Sequence, residues 1–291
     1  MKHKVVSTLL STLLLAGGPS MAVADDIAYL GVADGYWEVW LTDADKRPST
    51  QLTRFGSDVS RISWYPDGRH LLVNRHDGQL YRLDTQSGDT ETIAAPMPNI
   101  LDAVLSPKGD SFAFSLSTSG SIDDNDIYVF YFHSRKLHKL TSMPRLQHEP
   151  TWSADGQSLY FLSGDGGQAH DIWKVDLASR STEQLTVNAL YHFDLAVRKD
   201  GALAYSGNQS GNYELWLRQA DGETRQLTQN PALDARPAWS PAGDQLAFQS
   251  TRDGNINLWL LDIAANSLSP LTNSEEGARQ PVWAPVQESG Q

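Results

Sequence analysis

Six positions spaced 41 to 47 residues apart carry groups that ionise or hydrogen-bond: Arg61, Asp102, Glu149, Asp194, Arg236 and Gln280. Gln147, His148, Tyr191, His192, Phe193, Asp234 and Arg279 stand within three residues of members of this series. Charges of mixed sign flanked by His and aromatic rings suit recognition of another protein. There, charges set orientation and encounter rate, while a few desolvated groups set affinity. A second reading is structural: the same charges pair with one another inside the fold. A third is catalytic, with Gln147, His148, Glu149 and His192 as metal ligands, which requires at least three of them to converge.

Other motifs fail on their own chemistry. Asp123-Asp124-Asn125-Asp126 suggests a calcium loop but lacks the central Gly. Ser134 and Arg135 stand where the closing Glu belongs. It reads instead as a polar hairpin tip. Gly164-Asp165-Gly166-Gly167 reads as a turn between strands, since no helix follows to hold a phosphate. The sequence has no HExxH and no nucleophile elbow. No cofactor is therefore expected, although a calcium ion in a central channel is left open.

The elements that position the six residues repeat with them. Three residues after each comes a strand anchor: Trp64, Leu105, Trp152, Val197, Trp239 and Trp283. Pro, Asp and Gly follow, as in Trp64-Tyr65-Pro66-Asp67-Gly68 and Trp239-Ser240-Pro241-Ala242-Gly243. A second column places an acid or amide before an aliphatic and an aromatic residue. It comprises Glu38-Val39-Trp40, Gln79-Leu80-Tyr81, Asp126-Ile127-Tyr128, Asp171-Ile172-Trp173, Glu214-Leu215-Trp216 and Asn257-Leu258-Trp259. A third follows as Leu52-Thr53, Ile93-Ala94, Leu140-Thr141, Leu185-Thr186, Leu227-Thr228 and Leu271-Thr272. Each unit holds four short β-rich segments separated by turn residues, and radial stacking of such units builds a propeller. The expected fold is all-β: a six-bladed β-propeller of four-stranded antiparallel blades. Ile27-Ala28-Tyr29 reads as a second strand and Pro281-Val282-Trp283 as a first. The C-terminal strand should thus pair with the N-terminal three strands and close the ring, removing two sheet edges. The Trp columns read as core between blades, and the six repeated residues with their neighbours read as blade-to-blade loops gathered at one mouth of the central channel.

Residues 1–24 read as a secretory signal peptide, with Lys2 and Lys4 before an apolar run and Ala22-Val23-Ala24 as the cleavage site. The propeller is expected over 25–286, with 287–291 as a short tail. Cleavage removes two Lys and no acid, taking the net charge from −12 to −14. Such acidity argues against nucleic acid and anionic membrane surfaces as partners. There is no Cys, which excludes disulfides and an acylated N-terminal Cys. A monomeric periplasmic protein is expected, with no direct membrane insertion.

The three columns resemble the TolB family of propeller repeats, whose signature runs Trp-Ser-Pro-Asp-Gly, then Asp-Ile-Tyr, then Leu-Thr. Within the family, Glu149-Pro150-Thr151-Trp152 and Pro281-Val282-Trp283-Ala284-Pro285 resemble the TolB segments. The resemblance implies a periplasmic protein-binding module, with a partner like the peptidoglycan-associated lipoprotein held on one propeller face. It ranks Glu149 first among the candidate residues, with His148 beside it, then Asp194 and Arg236. This chain departs from TolB in placing the first blade directly after the leader, where TolB carries an α/β domain. TolB-like oligogalacturonate lyases, which bind metal through His and Gln, are the enzymatic alternative; a glycan or peptide sensor is another.

Overall fold

The computed structural model describes residues 26–45, 48–117, 124–164, 170–187 and 192–286. The leader, the tail, Asp123 and Tyr191 lie outside the described residues. Strands are numbered in chain order. The first sheet contains β1 (Asp26–Ala33), β2 (Tyr36–Asp43) and β3 (Thr50–Gln51) together with β24 (Ala278–Trp283). The second is β4 (Val59–Trp64), β5 (His70–Arg75), β6 (Leu80–Asp84) and β7 (Thr90–Ile93). The third is β8 (Leu101–Leu105), β9 (Ser111–Leu116), β10 (Asp126–Tyr131) and β11 (Leu137–Lys139). The fourth is β12 (Leu146–Trp152), β13 (Ser158–Gly164), β14 (His170–Asp176) and β15 (Thr182–Gln184). The fifth is β16 (His192–Val197), β17 (Leu203–Gly207), β18 (Glu214–Arg218) and β19 (Thr224–Gln226). The sixth is β20 (Asp234–Trp239), β21 (Gln245–Ser250), β22 (Asn257–Asp262) and β23 (Ser267–Pro270).

Every pairing within these six four-stranded sheets is antiparallel, and the ring closes where β24 pairs with β1 through Ile27↔Trp283 and Ala28↔Val282. The apolar core lies between blades rather than within them. One cluster joins Leu30 and Val39 of the first blade to Ile62, Leu71 and Val73 of the second, and five others repeat the arrangement around the ring. A four-stranded sheet cannot bury both faces alone, so each blade depends on both neighbours.

The first Trp column hydrogen-bonds across these junctions. The indole N–H groups of Trp64, Trp152, Trp239 and Trp283 donate to the carbonyls of Val282, Val104, Ala196 and Ala238 on the preceding blade. Where the anchor is not Trp, Leu105 N–H donates to Ser63 Oγ, and Thr151 Oγ1 donates to the Leu195 carbonyl. The second column, Trp40, Trp173, Trp216 and Trp259, is only half-buried and edges the clusters. It was expected to be full core; the third strand of a blade lies far enough from the axis that one edge of the indole meets solvent.

The Thr column has a structural cause. In five blades its hydroxyl receives the backbone N–H after the acid or amide and donates to that side chain. Thr228 Oγ1 accepts from Leu215 N–H at 3.0 Å and donates to Glu214 at 2.7 Å. Thr53, Thr141, Thr186 and Thr272 do the same with Glu38, Asp126, Asp171 and Asn257. The clasp ends the ladder between third and fourth strands while leaving no buried polar group unpaired. Asp126, from the calcium-like run, is held in this way and also by Lys139 at 2.5 Å. Thr228→Val is expected to destabilise by about 1–3 kcal/mol, because Glu214 loses a buried donor. Thr228→Ser should recover most of that. Chemical denaturation of both variants checks it; a Val variant as stable as the parent overturns the clasp.

Candidate functional site

The six repeated residues lie within the inner strands β4, β8, β12, β16, β20 and β24, not in the loops at the channel mouth. The physical reason is a bulge that every inner strand carries. The register slips between Val59 and Arg61, Leu101 and Val104, His148 and Thr151, Phe193 and Ala196, Ala235 and Ala238, and on β24 opposite Ala28 to Leu30. Five of the six residues sit in the left-handed region, with φ of 55° at Asp102, 52° at Glu149, 57° at Asp194, 56° at Arg236 and 52° at Gln280. Only Gly takes this conformation freely; for the others it costs on the order of 1–2 kcal/mol each. Such repeated strain persists because the surrounding ring imposes it. A bulge also re-aims side chains, here around the axis.

The bulge leaves backbone N–H groups without a ladder partner, and side chains of the preceding blade receive them. Glu149 Oε2 accepts from Asp194 N–H at 2.9 Å, and Asp194 Oδ2 accepts from Arg236 N–H at 3.3 Å. Asn74 Oδ1 accepts from Ala103 N–H at 3.3 Å, and Gln249 Oε1 accepts from Gln280 N–H at 3.4 Å. Ser206 Oγ donates to Asp194 at 3.3 Å. Asn74, Ser115, Ser206 and Gln249 occupy one column on the second strands, so a polar residue amid an apolar strand was the available sequence signal for these supports.

In order around the ring, the collar reads Gln280, Arg61, Asp102, Glu149, Asp194, Arg236. The three acids are contiguous and an Arg stands at each end. Arg236 Nε lies 2.7 Å from Asp194 Oδ1, and its Nη2 lies 3.7 Å from Glu149 Oε1. Burial pushes both carboxyls up. At Glu149 the charges of Arg236, His148 and Arg61 outweigh it and hold the group down at about 2. At Asp194 burial, reinforced by the Glu149 charge, prevails over Arg236 and leaves the group at about 6. The two carboxyls interact strongly, so the step near 6 belongs to the pair.

The neighbouring candidates divide. Asp234 is fully buried and bidentate with Arg252 at 2.9 and 2.7 Å, an ion pair internal to the fold. Gln147 is also buried, receiving the Thr141 hydroxyl and donating to the carbonyls of Met143 and Arg145. His148 Nε2 lies 3.0 Å from His170 Nδ1, and the His170 carbonyl lies 2.9 Å from His192 Nδ1. Burial lowers the His192 pKa, which keeps that ring neutral at pH 7. Phe193 packs between His170 and Tyr213. Arg279 lies 3.9 Å over the Trp37 ring, and burial together with Arg236 lowers its pKa. His148 Nδ1 lies 3.9 Å from Glu149 Oε1, but Gln147, His148, Glu149 and His192 do not converge on a point. Among the described residues no group of three or more His, Cys, Asp or Glu is placed to hold a metal ion.

Inside the collar lies a cavity of about 250 Å³, lined by Arg61, Asp194, Arg236 and Gln280 and by Val104, Leu195, Pro237 and Val282, with Trp64 and Trp283 also lining it. A larger recess of about 1360 Å³ lies at the Pro/Asp/Gly turns, where Pro66, Pro107, Pro241 and Pro285 meet.

A closed ring of six four-stranded blades around a charge-lined cavity defines a six-bladed β-propeller. The chain belongs to the family of the TolB beta propeller domain, whose family model matches residues 101–287. An uncharacterized protein of Agrobacterium fabrum is 27% identical over 241 residues, covering 77% of this chain and 80% of its own. The Tol-Pal system protein TolB of Francisella tularensis is 24% identical, over 89% of this chain and 63% of its own. The chain thus spans less than two thirds of that relative. The crystal structure of TolB from Acinetobacter baumannii matches with a TM-score of 0.78 at 23% identity, covering 90% of this chain and 67% of that one. An oligogalacturonate lyase from Vibrio parahaemolyticus matches with a TM-score of 0.56 at 12% identity, covering 86% and 75%. At these identities the likeness concerns the fold alone.

Proposed function

We propose that this chain is a periplasmic protein-binding module that presents the collar end of its channel to a cell-envelope partner, in a system of Tol-Pal type. The leader-like residues 1–24 support export, and the TolB relatives support the class of partner, a peptidoglycan-associated lipoprotein or a protein like it. The observation that carries the reading is the collar itself: partly buried Arg61, Asp102, His148 and Gln280 around the channel, held by a strained and hydrogen-bonded frame. Preorganised polar groups of this kind lower the ordering cost of association.

The frame changes which residues test the idea. Glu149 and Asp194 are buried and hold backbone N–H groups, so replacing either changes stability as well as binding. Asp102 and His148 are the cleaner probes. Asp102→Ala with His148→Ala is expected to weaken binding of a purified peptidoglycan-associated lipoprotein domain by about 1–4 kcal/mol, measured calorimetrically, with a smaller drop in melting temperature than replacement of Glu149 and Asp194. Absence of any binding by the parent overturns the reading. Full affinity in the double variant moves the partner site elsewhere on the propeller.

A further inference from the structure

The collar contains a cation that makes no close ion pair among the described residues. Arg236 is committed to Asp194 and Glu149. Arg252 is committed to Asp234. Among the described residues no carboxylate lies within ion-pair distance of Arg61; it feels Glu149 and Asp194 only at longer range. It nevertheless lines the cavity, on an inner strand, in a chain with net charge −12. Next to it in the ring, Gln280 keeps its Oε1 buried without a hydrogen-bond partner, and Arg279 adds a second guanidinium whose contact is the Trp37 ring. Two of the three collar acids, Asp102 and Glu149, do not line the cavity. The third, Asp194, pairs at 2.7 Å with Arg236, a cation it shares with Glu149. Of the charged residues that line the cavity, Arg61 and Arg236 outnumber Asp194, beside an apolar wall of Val104, Leu195, Pro237 and Val282. Low-dielectric walls strengthen a charge pair formed there, and a guanidinium offers a carboxylate two parallel donors.

From this arrangement we propose that the channel cavity is a carboxylate pocket, in which Arg61 and Gln280 receive an acidic side chain presented by a segment of a protein partner. The inference rests on the protein-binding reading above and names the chemistry of the group that the partner inserts. About 250 Å³ is below the usual size of a drug-like ligand site and suits one side chain with part of its backbone. The carboxylate would pair with Arg61, and its carbon stem would lie on the apolar wall. The Gln280 amide would supply a further donor by turning its nitrogen toward the carboxylate, since the atom without a partner is the acceptor Oε1.

The test uses the full chain, labelled with ¹⁵N in its tryptophans, because Trp64 and Trp283 line the cavity and report on it through their indole N–H signals. N-acetyl-glutamate N-methylamide is titrated against its neutral isostere, N-acetyl-glutamine N-methylamide, and against acetyl-glycyl-glycine, whose carboxylate is a chain end. Saturable shifts at Trp64 and Trp283 are expected with the glutamate probe, in about the millimolar range for so small a ligand. The glutamine probe should give none. Arg61→Gln should weaken the glutamate response tenfold or more while the protein stays folded, since Arg61 makes no ion pair among the described residues and acts on Glu149 and Asp194 only at longer range. Arg225→Gln on the exposed outer strand β19 serves as the control. Equal responses to the glutamate and glutamine probes, or an undiminished response in Arg61→Gln, overturn the pocket. A stronger response to acetyl-glycyl-glycine assigns it to chain ends instead and overturns the side-chain proposal. If the lipoprotein domain binds and the glutamate probe does not, the pocket fails and the protein-binding reading stands. The reverse result separates them the other way.

Discussion

Truncation before Pro281 is expected to leave a protein without a cooperative unfolding transition. The last strand supplies the closing pairs Ile27↔Trp283 and Ala28↔Val282, and the Trp283 indole donates to the Ala238 carbonyl on the neighbouring blade. Trp283 is also part of the core between the sixth and first blades. Loss of one buried Trp costs about 3–5 kcal/mol, against a total stability of about 5–15 kcal/mol. Truncation removes Val282 and Ala284 as well, uncovers the edge of β1, and takes away the carbonyl that receives the Trp64 indole. Two junctions of the ring therefore fail together. Expected observations are loss of the thermal transition by circular dichroism, a rise in aggregation and rapid proteolysis. A truncated chain that melts like the parent would falsify closure by β24 as the source of stability.

Arg236→Met should be the most damaging single change in the collar. It leaves Glu149 and Asp194 buried beside one another without their shared cation, and breaking a buried pair from one side costs about 3–5 kcal/mol. The loss should depend on pH, and its sign follows from the carboxyls. Asp194 titrates in the folded protein at about 6, above its ordinary 3.8. Its stabilising contribution is therefore fully present below about 3.8 and is lost as pH rises through about 6. Glu149, held down at about 2 from its ordinary 4.5, contributes above about 4.5 and loses that as pH falls through about 2. Without Arg236 both groups lose the charge that opposed burial, so both should hold a proton more readily. The gap in stability between parent and variant should be widest near pH 7.5 and narrow toward pH 5. Urea denaturation of both proteins across that interval measures it. A gap that does not change with pH assigns Arg236 a packing role and removes the electrostatic account of the collar.

The two effects differ in how visible their causes are in the sequence. Closure is visible because turn chemistry and strand alternation are local, and six copies in one register expose them: Ile27-Ala28-Tyr29 matches Leu246-Ala247-Phe248 strand for strand. The Thr column was also visible as a column, and its pairing with the acid column is a contact within one blade. The polar position of the inner strands is visible as a column as well, but its place on a bulged strand and not in a loop is not. A register slip of one residue depends on six strands converging on an axis, and no single strand encodes that convergence. Burial of Glu149 and the divided fates of Asp234 and Arg61 were hidden for the same reason: their partners lie on other strands, as with Arg252 for Asp234 and Arg236 for Glu149.

By itself the sequence determined the architecture: the repeat period, the blade count, the strand that closes the ring and the columns that pack between blades. These follow from residue type and spacing, because alternation and turns act over a few residues and the repeat multiplies their signal. Only the tertiary structure decided which polar residues pair inside the fold and which line the cavity. Asp234, Gln147 and Glu149 are consumed by partners distant in sequence, whereas Arg61 and Gln280 face the cavity with capacity unused. Whether a charge is spent or available depends on what stands within a few ångströms of it, and in a ring of blades those neighbours come from the next blade.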